Sequence, residues 1–432
     1  MATITLFASE TLAVATIMPR VADELGRSGY GAAFSGFFLG SVAGVLLGGA
    51  AADRFAPATL VVGLSTLFTL GLLLGAGAPS IWVLVAGRVV QGFGSGATSP
   101  PVYAIIARAY EESARIRMFA ITSTAWVTPA VFGPGLAGLV AERVGWRWVF
   151  LGITPLVVGA AAVTAPAVRR WVVPADADRT CLPLGPALRA TAGVGAVLIA
   201  IDARHRIVTP LLVLAGLAVA VPPVRRMVPP GTFRLARGLP AIIGTRGVLT
   251  MAFVAVDAFI PLAITDVRGR SVLMGSVAVS ASTIAWTAGA WLADRWMPRR
   301  GAPWLIRAGF VALTMGNLVT LLLLRTGIPL AVGVVGAAVA GLGIGTGYSP
   351  GSAAVLDLAT PGEEGRTSSA LALFDGLGFA VGAAITGALV AGAGTGTSPG
   401  GRLAVAWVAS AVVAAVGVVA AGRTRASPGT RR

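Results

Sequence analysis

The chain has 432 residues, of which 56% are hydrophobic and only 12% charged; a soluble domain carries about 25% charged residues. That balance places it among polytopic membrane proteins. The net charge of +16 comes entirely from arginine, which is scattered through short connections between apolar stretches, so a positive-inside bias explains it better than a nucleic-acid partner. Cys181 and His205 are the single cysteine and histidine, which excludes a disulfide, a thiolate cluster or a histidine metal site within one chain.

Successive apolar stretches run over 2–20, 30–52, 58–77, 80–107, 118–141 and 147–168, then 186–201 and 207–224, and finally 244–264, 271–293, 303–324, 328–355, 368–392 and 403–421. They predict an all-α membrane protein of fourteen spans, since helices alone satisfy the backbone within each span. The first stretch has no basic region ahead of it and holds Glu10 in its middle, which makes it a poor secretory signal and a barely sufficient first span, as if the start had been set slightly late. With both termini inside, 22 arginines face the cytoplasm and 10 face outward, leaving Arg88 within the membrane. In that arrangement Arg246 lies in a cytoplasmic connection, and so does Cys181.

The chain also repeats itself. Pro19, Gly26-Arg27-Ser28 and Ala52-Asp53-Arg54 find counterparts in Pro261, Gly269-Arg270-Ser271 and Ala293-Asp294-Arg295. Gly92-Phe-Gly94-Ser-Gly96 answers Gly341-Leu-Gly343-Ile-Gly345, and Gly133-Pro134-Gly135-Leu-Ala-Gly138 answers Gly382-Ala-Ala-Ile-Thr-Gly387, both displaced by 249 residues. Matches in one order over two six-span halves point to a duplicated bundle. The domains expected are 1–168 and 244–422, with an inserted pair of spans in 169–243 and a short basic cytoplasmic tail over 423–432.

Arg88-Val-Val-Gln91-Gly92-Phe-Gly94 sits inside an otherwise uncharged run. An arginine at mid-bilayer costs about 2.5–3.5 kcal/mol on insertion scales and needs a partner or a wet cavity. Gly92, Gly94 and Gly96 strip side chains from the same stretch, which allows another helix to come close. Arg88-x-x-Gln91-Gly92-x-Gly94 resembles the fourth-helix motif of the major facilitator superfamily. Gly133-Pro134-Gly135-Leu136-Ala137-Gly138 is similar to that family's antiporter motif, with Ala137 in place of one glycine. Gly145-Trp-Arg-Trp-Val-Phe150 is similar to the entry of the sixth helix in drug:proton antiporters. The loop after the second stretch matches less well, keeping Gly49 and Asp53-Arg54 but replacing the basic pair with Ala56-Pro57-Ala58. Two extra central spans resemble the fourteen-helix drug:proton antiporter branch.

The resemblance implies a monomeric transporter of a bacterial cytoplasmic membrane that exports small apolar or cationic compounds in exchange for protons. A proton-coupled solute importer of the same superfamily is the alternative, against which the fifth-stretch motif speaks; a sensor without transport is a third. No Walker-type loop, nucleophile–base pair or metal cluster is present, so a proton gradient is the expected energy source, with no cofactor. Glu10, Arg88 and Asp257 are the candidates for proton coupling, because an ionisable group within a span marks a functional pathway by default. Each has a structural alternative: a hydrogen bond to a neighbouring helix for Glu10, a conformational latch for Arg88, and a contact at a helix kinked by Pro261 for Asp257. Gln91, Asp375, Tyr103, Trp126, Trp286 and Tyr348 are substrate-cavity candidates, the aromatics having packing as their alternative. Asp53, Arg54, Asp294 and Arg295 are expected to cap or latch cytoplasmic helix ends. Gly92, Gly94, Gly96, Gly133, Pro134 and Gly138 are expected to serve tight packing and a bend.

Overall fold

A computed structural model of the chain describes residues 2–25, 30–125, 127–169, 184–203, 208–270, 272–360, 363–391 and 398–425. Among the described residues every regular element is a helix. In chain order they are α1 (Ala2–Leu25), α2 (Tyr30–Arg54), α3 (Pro57–Ala76), α4 (Ile81–Gly96), α5 (Ser99–Ala109), α6 (Glu112–Thr124), α7 (Val127–Arg143) and α8 (Arg147–Val168). The central pair is α9 (Leu184–Ala203) and α10 (Val208–Met227). There follow α11 (Leu239–Asp257), α12 (Ile260–Leu262), α13 (Val272–Arg300), α14 (Ala302–Thr320), α15 (Leu330–Asp357), α16 (Glu364–Ala391) and α17 (Pro399–Ala420).

Each apolar stretch is therefore helical where it is described. Among the described residues, eight helical segments pass a test of length and apolar composition for crossing a membrane, or up to nine if a bent pair is one span. The fourth stretch is split into α4 of 16 residues and α5 of 11. Pro100 and Pro101 have no N–H to give the carbonyls four residues earlier, and the Thr98 hydroxyl turns back to the Gly94 carbonyl at 2.8 Å. The bent pair is the fifth stretch, where Ala114–Gly133 and Gly135–Arg143 meet at 40°. The bend falls at position 134, as a proline without a donor predicts. A second proline break interrupts the seventh stretch: α11 stops at Asp257, and Pro261 cannot donate to the carbonyl of that residue. The chain resumes through α12 and a short π-helix at Ala263–Val267.

By contacts the chain divides into two units. Unit 1 takes in Met1–Tyr110, Thr128–Val228 and Ala359–Leu373; unit 2 takes in Glu111–Val127, Pro229–Leu358 and Phe374–Arg432. This division follows packing, whereas the division into 1–168, 169–243 and 244–422 follows the repeated sequence. The two differ most at α6, which packs with α13 and α15 inside unit 2.

Unit 1 has a core in which Phe7 of α1 stacks on Phe68 of α3 at 4.0 Å, with Leu84 and Phe150 buried around them. Its closest seam joins α2 to α4. A Cβ on Gly92 would lie 1.9 Å from the Phe37 carbonyl oxygen, and one on Gly96 would lie 2.3 Å from that of Ser41. Gly94 faces the other way, toward the Leu64 carbonyl of α3 at 2.9 Å. The expected single glycine face is thus two faces, because residues two apart on a helix point about 200° from each other. The central pair also meets backbone to backbone, at Gly193 and Gly216.

Unit 2 carries the same seam. A Cβ on Gly341 would lie 2.1 Å from the Ser282 carbonyl and one on Gly345 would lie 1.9 Å from that of Trp286, both on α13, while Gly343 faces α14. Its core closes around the fully buried Trp407, with Ile260, Leu323 and Leu403.

Candidate functional site

Arg88 and Gln91 lie one turn apart on α4 and share a face, as their spacing requires. Glu10 reaches them from the middle of α1. Exposure is 0% for Glu10, 2% for Arg88 and 0% for Gln91. Arg88 Nη1 donates to Glu10 Oε1 in a buried ion pair, and the same nitrogen donates to Gln91 Oε1 at 2.9 Å. The guanidinium also lies over the Phe37 ring, 4.4 Å from its centre, a desolvated cation–π contact of about 2 kcal/mol. Gly71 of α3 fixes Gln91 from behind, since a Cβ there would lie 2.5 Å from Gln91 Cγ. So the partner that Arg88 needs is Glu10, 78 residues away in sequence.

The network is incomplete. Glu10 Oε2, Arg88 Nε and Gln91 Nε2 are buried without a hydrogen-bond partner among the described residues. An incompletely satisfied buried polar network is costly and calls for an explanation. These three atoms leave one acceptor and two donors for a proton, a water or a polar group of a ligand.

Asp257 belongs to unit 2 and ends α11 immediately before its break. It accepts a hydrogen bond from the Ser282 hydroxyl of α13 at 2.5 Å. Among the described residues no arginine pairs with it, and the position 249 residues after Arg88 is Ala337, so the duplication preserved the glycines and not the charge pair.

Asp375 of α16 sits in a second polar cluster of unit 2. It accepts from the Tyr348 hydroxyl at 2.6 Å and from Thr250 at 2.5 Å. The Tyr348 ring stands 5.3 Å from that of Trp286, which in turn meets Phe253 at 5.3 Å. On the face of Tyr348 lies the guanidinium of Arg246, its Cζ 3.3 Å from the ring centre, and Arg246 Nη2 donates to Ser352. Arg246 is only 4% exposed and lies within α11. Arg246 therefore lies inside a helix and not in the connection expected from the sequence, because α11 starts at Leu239 and not at 244. Thr250, one turn beyond Arg246, and Ser282 and Ser352 were not singled out from sequence either. A hydroxyl in a membrane helix carries no signal until its partner is known.

The remaining residues divide as follows. Tyr103 is half-buried on α5, and Trp126 lies outside the described residues. Asp53 accepts from the backbone N–H of Gly365 and of Arg366, both at 3.0 Å, and so caps the start of α16. Asp294 pairs with Arg117 at 3.3 Å, while Arg54 and Arg295 are exposed. Gly133 and Gly135 do not form a seam: a Cβ on Gly133 would first meet the Ser9 carbonyl at 3.9 Å, and one on Gly135 would meet nothing within 4 Å among the described residues. Gly138 and Pro134 share α7 with them. At another end of unit 1, Glu24 accepts from Trp146 Nε1 at 2.6 Å and from Arg147, tying the end of α1 to the start of α8.

The sequence profile described as Major Facilitator Superfamily matches residues 1–335. Among curated relatives, the chain is 38% identical over 131 residues to the Multidrug resistance protein B homolog of Mycobacterium tuberculosis, covering 30% of this chain and 24% of that one. It is 31% identical over 163 residues to the Methylenomycin A resistance protein of Bacillus subtilis, covering 36% and 34%. The matched stretches thus span about a quarter to a third of those relatives' lengths. Among solved structures, the human organic anion transporter MFSD10 aligns with a TM-score of 0.72 over 97% of this chain and 98% of that one, at 13% identity. The proton:xylose symporter XylE aligns with a TM-score of 0.69 over 97% and 93%, at 14% identity. Likenesses at such identities concern the fold.

Proposed function

Because the chain belongs to the Major Facilitator Superfamily, a family of membrane transporters and not of enzymes, we propose that it is a proton-coupled antiporter exporting small, largely apolar or cationic compounds. The observation that carries this reading is the buried Glu10–Arg88 pair, with Glu10 Oε2 and Gln91 Nε2 left unpartnered beside it. As a carboxylate, Glu10 neutralises Arg88 and holds α1 against α4. A proton arriving at Oε2 discharges the carboxylate, loosens the pair and favours the other access state. Substrate then competes with the proton, and the two cross in opposite directions. Gln91, clamped against Gly71, offers a fixed donor to an acceptor on the substrate. The efflux reading draws support from the names of the relatives and from the fifth-stretch resemblance.

The finer architecture belongs to the same proposal. Fourteen spans lie in a bacterial cytoplasmic membrane, with both termini cytoplasmic and the repeated halves rocking about a central cavity. The molecule works as a monomer, without a cofactor. Asp257, at the helix break of the repeat, is the second candidate for the coupled proton. A thermal-shift panel of antibiotics, dyes and lipids on the purified protein identifies the ligand. Counterflow in everted vesicles with the strongest ligand then tests export: accumulation driven by an acidic interior supports antiport, and accumulation only with the gradient reversed indicates import.

A further inference from the structure

We infer that unit 2 contains a binding site for a small monatomic anion, chloride, between α11, α14 and α15. Its centre is Arg246, 4% exposed on α11. One terminal nitrogen of this guanidinium donates to Ser352 and its flat face rests on Tyr348. The other, Nη1, is buried with no hydrogen-bond partner among the described residues. No carboxylate among them pairs with Arg246. Asp375, the acid of the cluster, is instead engaged by the Tyr348 hydroxyl and Thr250. A cation taken out of water without a counter-charge is strongly disfavoured, so the site calls for negative charge.

Beside Arg246 the protein provides a space for it. A cavity of about 10 Å3 is walled by Arg246 itself and by Ile242, Thr245, Leu249, Ile306, Gly347 and Gly351. That is room for a water or one monatomic ion and not for a molecule of drug size. The wall decides between the two occupants that fit. A buried water needs two to four polar partners, whereas here the Thr245 hydroxyl is turned onto the Ala241 carbonyl at 2.7 Å and three of the walls are aliphatic. A halide needs charge more than a set of directed partners, and the guanidinium supplies it. The anion would hold α11 to α15 in every access state, independently of which carboxylate carries the coupled proton.

The test uses the full-length protein in detergent, with sodium chloride exchanged for sodium gluconate at constant ionic strength. The thermal midpoint should rise with chloride and saturate, bromide should replace chloride, and radioactive chloride should bind with the same half-saturation. Arg246→Gln should abolish the response but can also lose folded protein. Gly351→Ala is the cleaner variant, because its new methyl would meet Ile242 and Ile306 at 3.8 and 3.9 Å, ordinary contact distances, while filling the cavity. It should fold and weaken the apparent chloride affinity by at least about tenfold. A wild-type midpoint that does not saturate with chloride would overturn the site, and so would a Gly351→Ala protein that responds as wild type does.

Discussion

Glu10 and Arg88 compensate one another where neither could be buried alone. Removing one partner of such a pair leaves an uncompensated charge at a cost of about 3–5 kcal/mol. Arg88→Gln should therefore lower the thermal midpoint more than the double variant Glu10→Gln/Arg88→Gln, in which both charges are gone; equal losses would mean that the pair is not the reason. Glu24 makes a different prediction because it lies beyond the apolar stretch, near the surface. Hydrogen bonds from Arg147 and then Trp146 hold its carboxyl below the usual carboxylate range. A depressed folded value contributes stability above the unfolded value, about 4.3, and that stability is lost as pH falls through the folded one. The small midpoint difference between wild type and Glu24→Gln should be present at pH 7 and disappear in acid. At this scale the sequence reveals which residues are costly, since Glu10 and Arg88 each interrupt an apolar run. It does not reveal partners, which come from elsewhere in the chain. Arg246 escaped because two breakers, Gly244 and Gly247, flank it and made the span look as though it began there.

The glycine seams make the element-scale prediction. At Gly92 and Gly345 a Cβ would come within 1.9 Å of a facing carbonyl, so α4 must move from α2, or α15 from α13. Gly92→Leu and Gly345→Leu should each cost at least the about 1–3 kcal/mol typical of overpacking, read as lost monodisperse protein after heating. Gly135→Ala is the control: with nothing within 4 Å of its Cβ among the described residues, it should be neutral or slightly stabilising, since alanine is favoured over glycine in a helix by about 0.5–1 kcal/mol. If Gly92→Leu behaved like Gly135→Ala, the seam would not hold the unit together. The seams were legible as glycines in two copies 249 residues apart, because close helix approach is paid for in missing side chains. At Gly133 and Gly135 no such approach occurs among the described residues, and what the structure shows there is the bend at position 134.

At the scale of the whole molecule the duplication was legible: the glycine seam that the sequence repeats recurs once in each unit. The bounds of individual helices were less so, because prolines at Pro100–Pro101 and near Pro261 break apolar runs that look continuous in sequence. Topology is testable through the lone thiol: Cys181 lies outside the described residues, in a connection that the arginine bias places inside. An impermeant maleimide should label it in inside-out vesicles and not in intact cells, and labelling from outside would overturn the orientation. The central claim is that Glu10 carries the coupled proton. It is tested most directly by the protons released when the strongest ligand of the thermal-shift panel binds in weakly buffered detergent solution. Wild type should release protons on binding, and Glu10→Gln should bind the same ligand with no release. A Glu10→Gln protein that releases as many protons as wild type would contradict the account and move the coupling to Asp257.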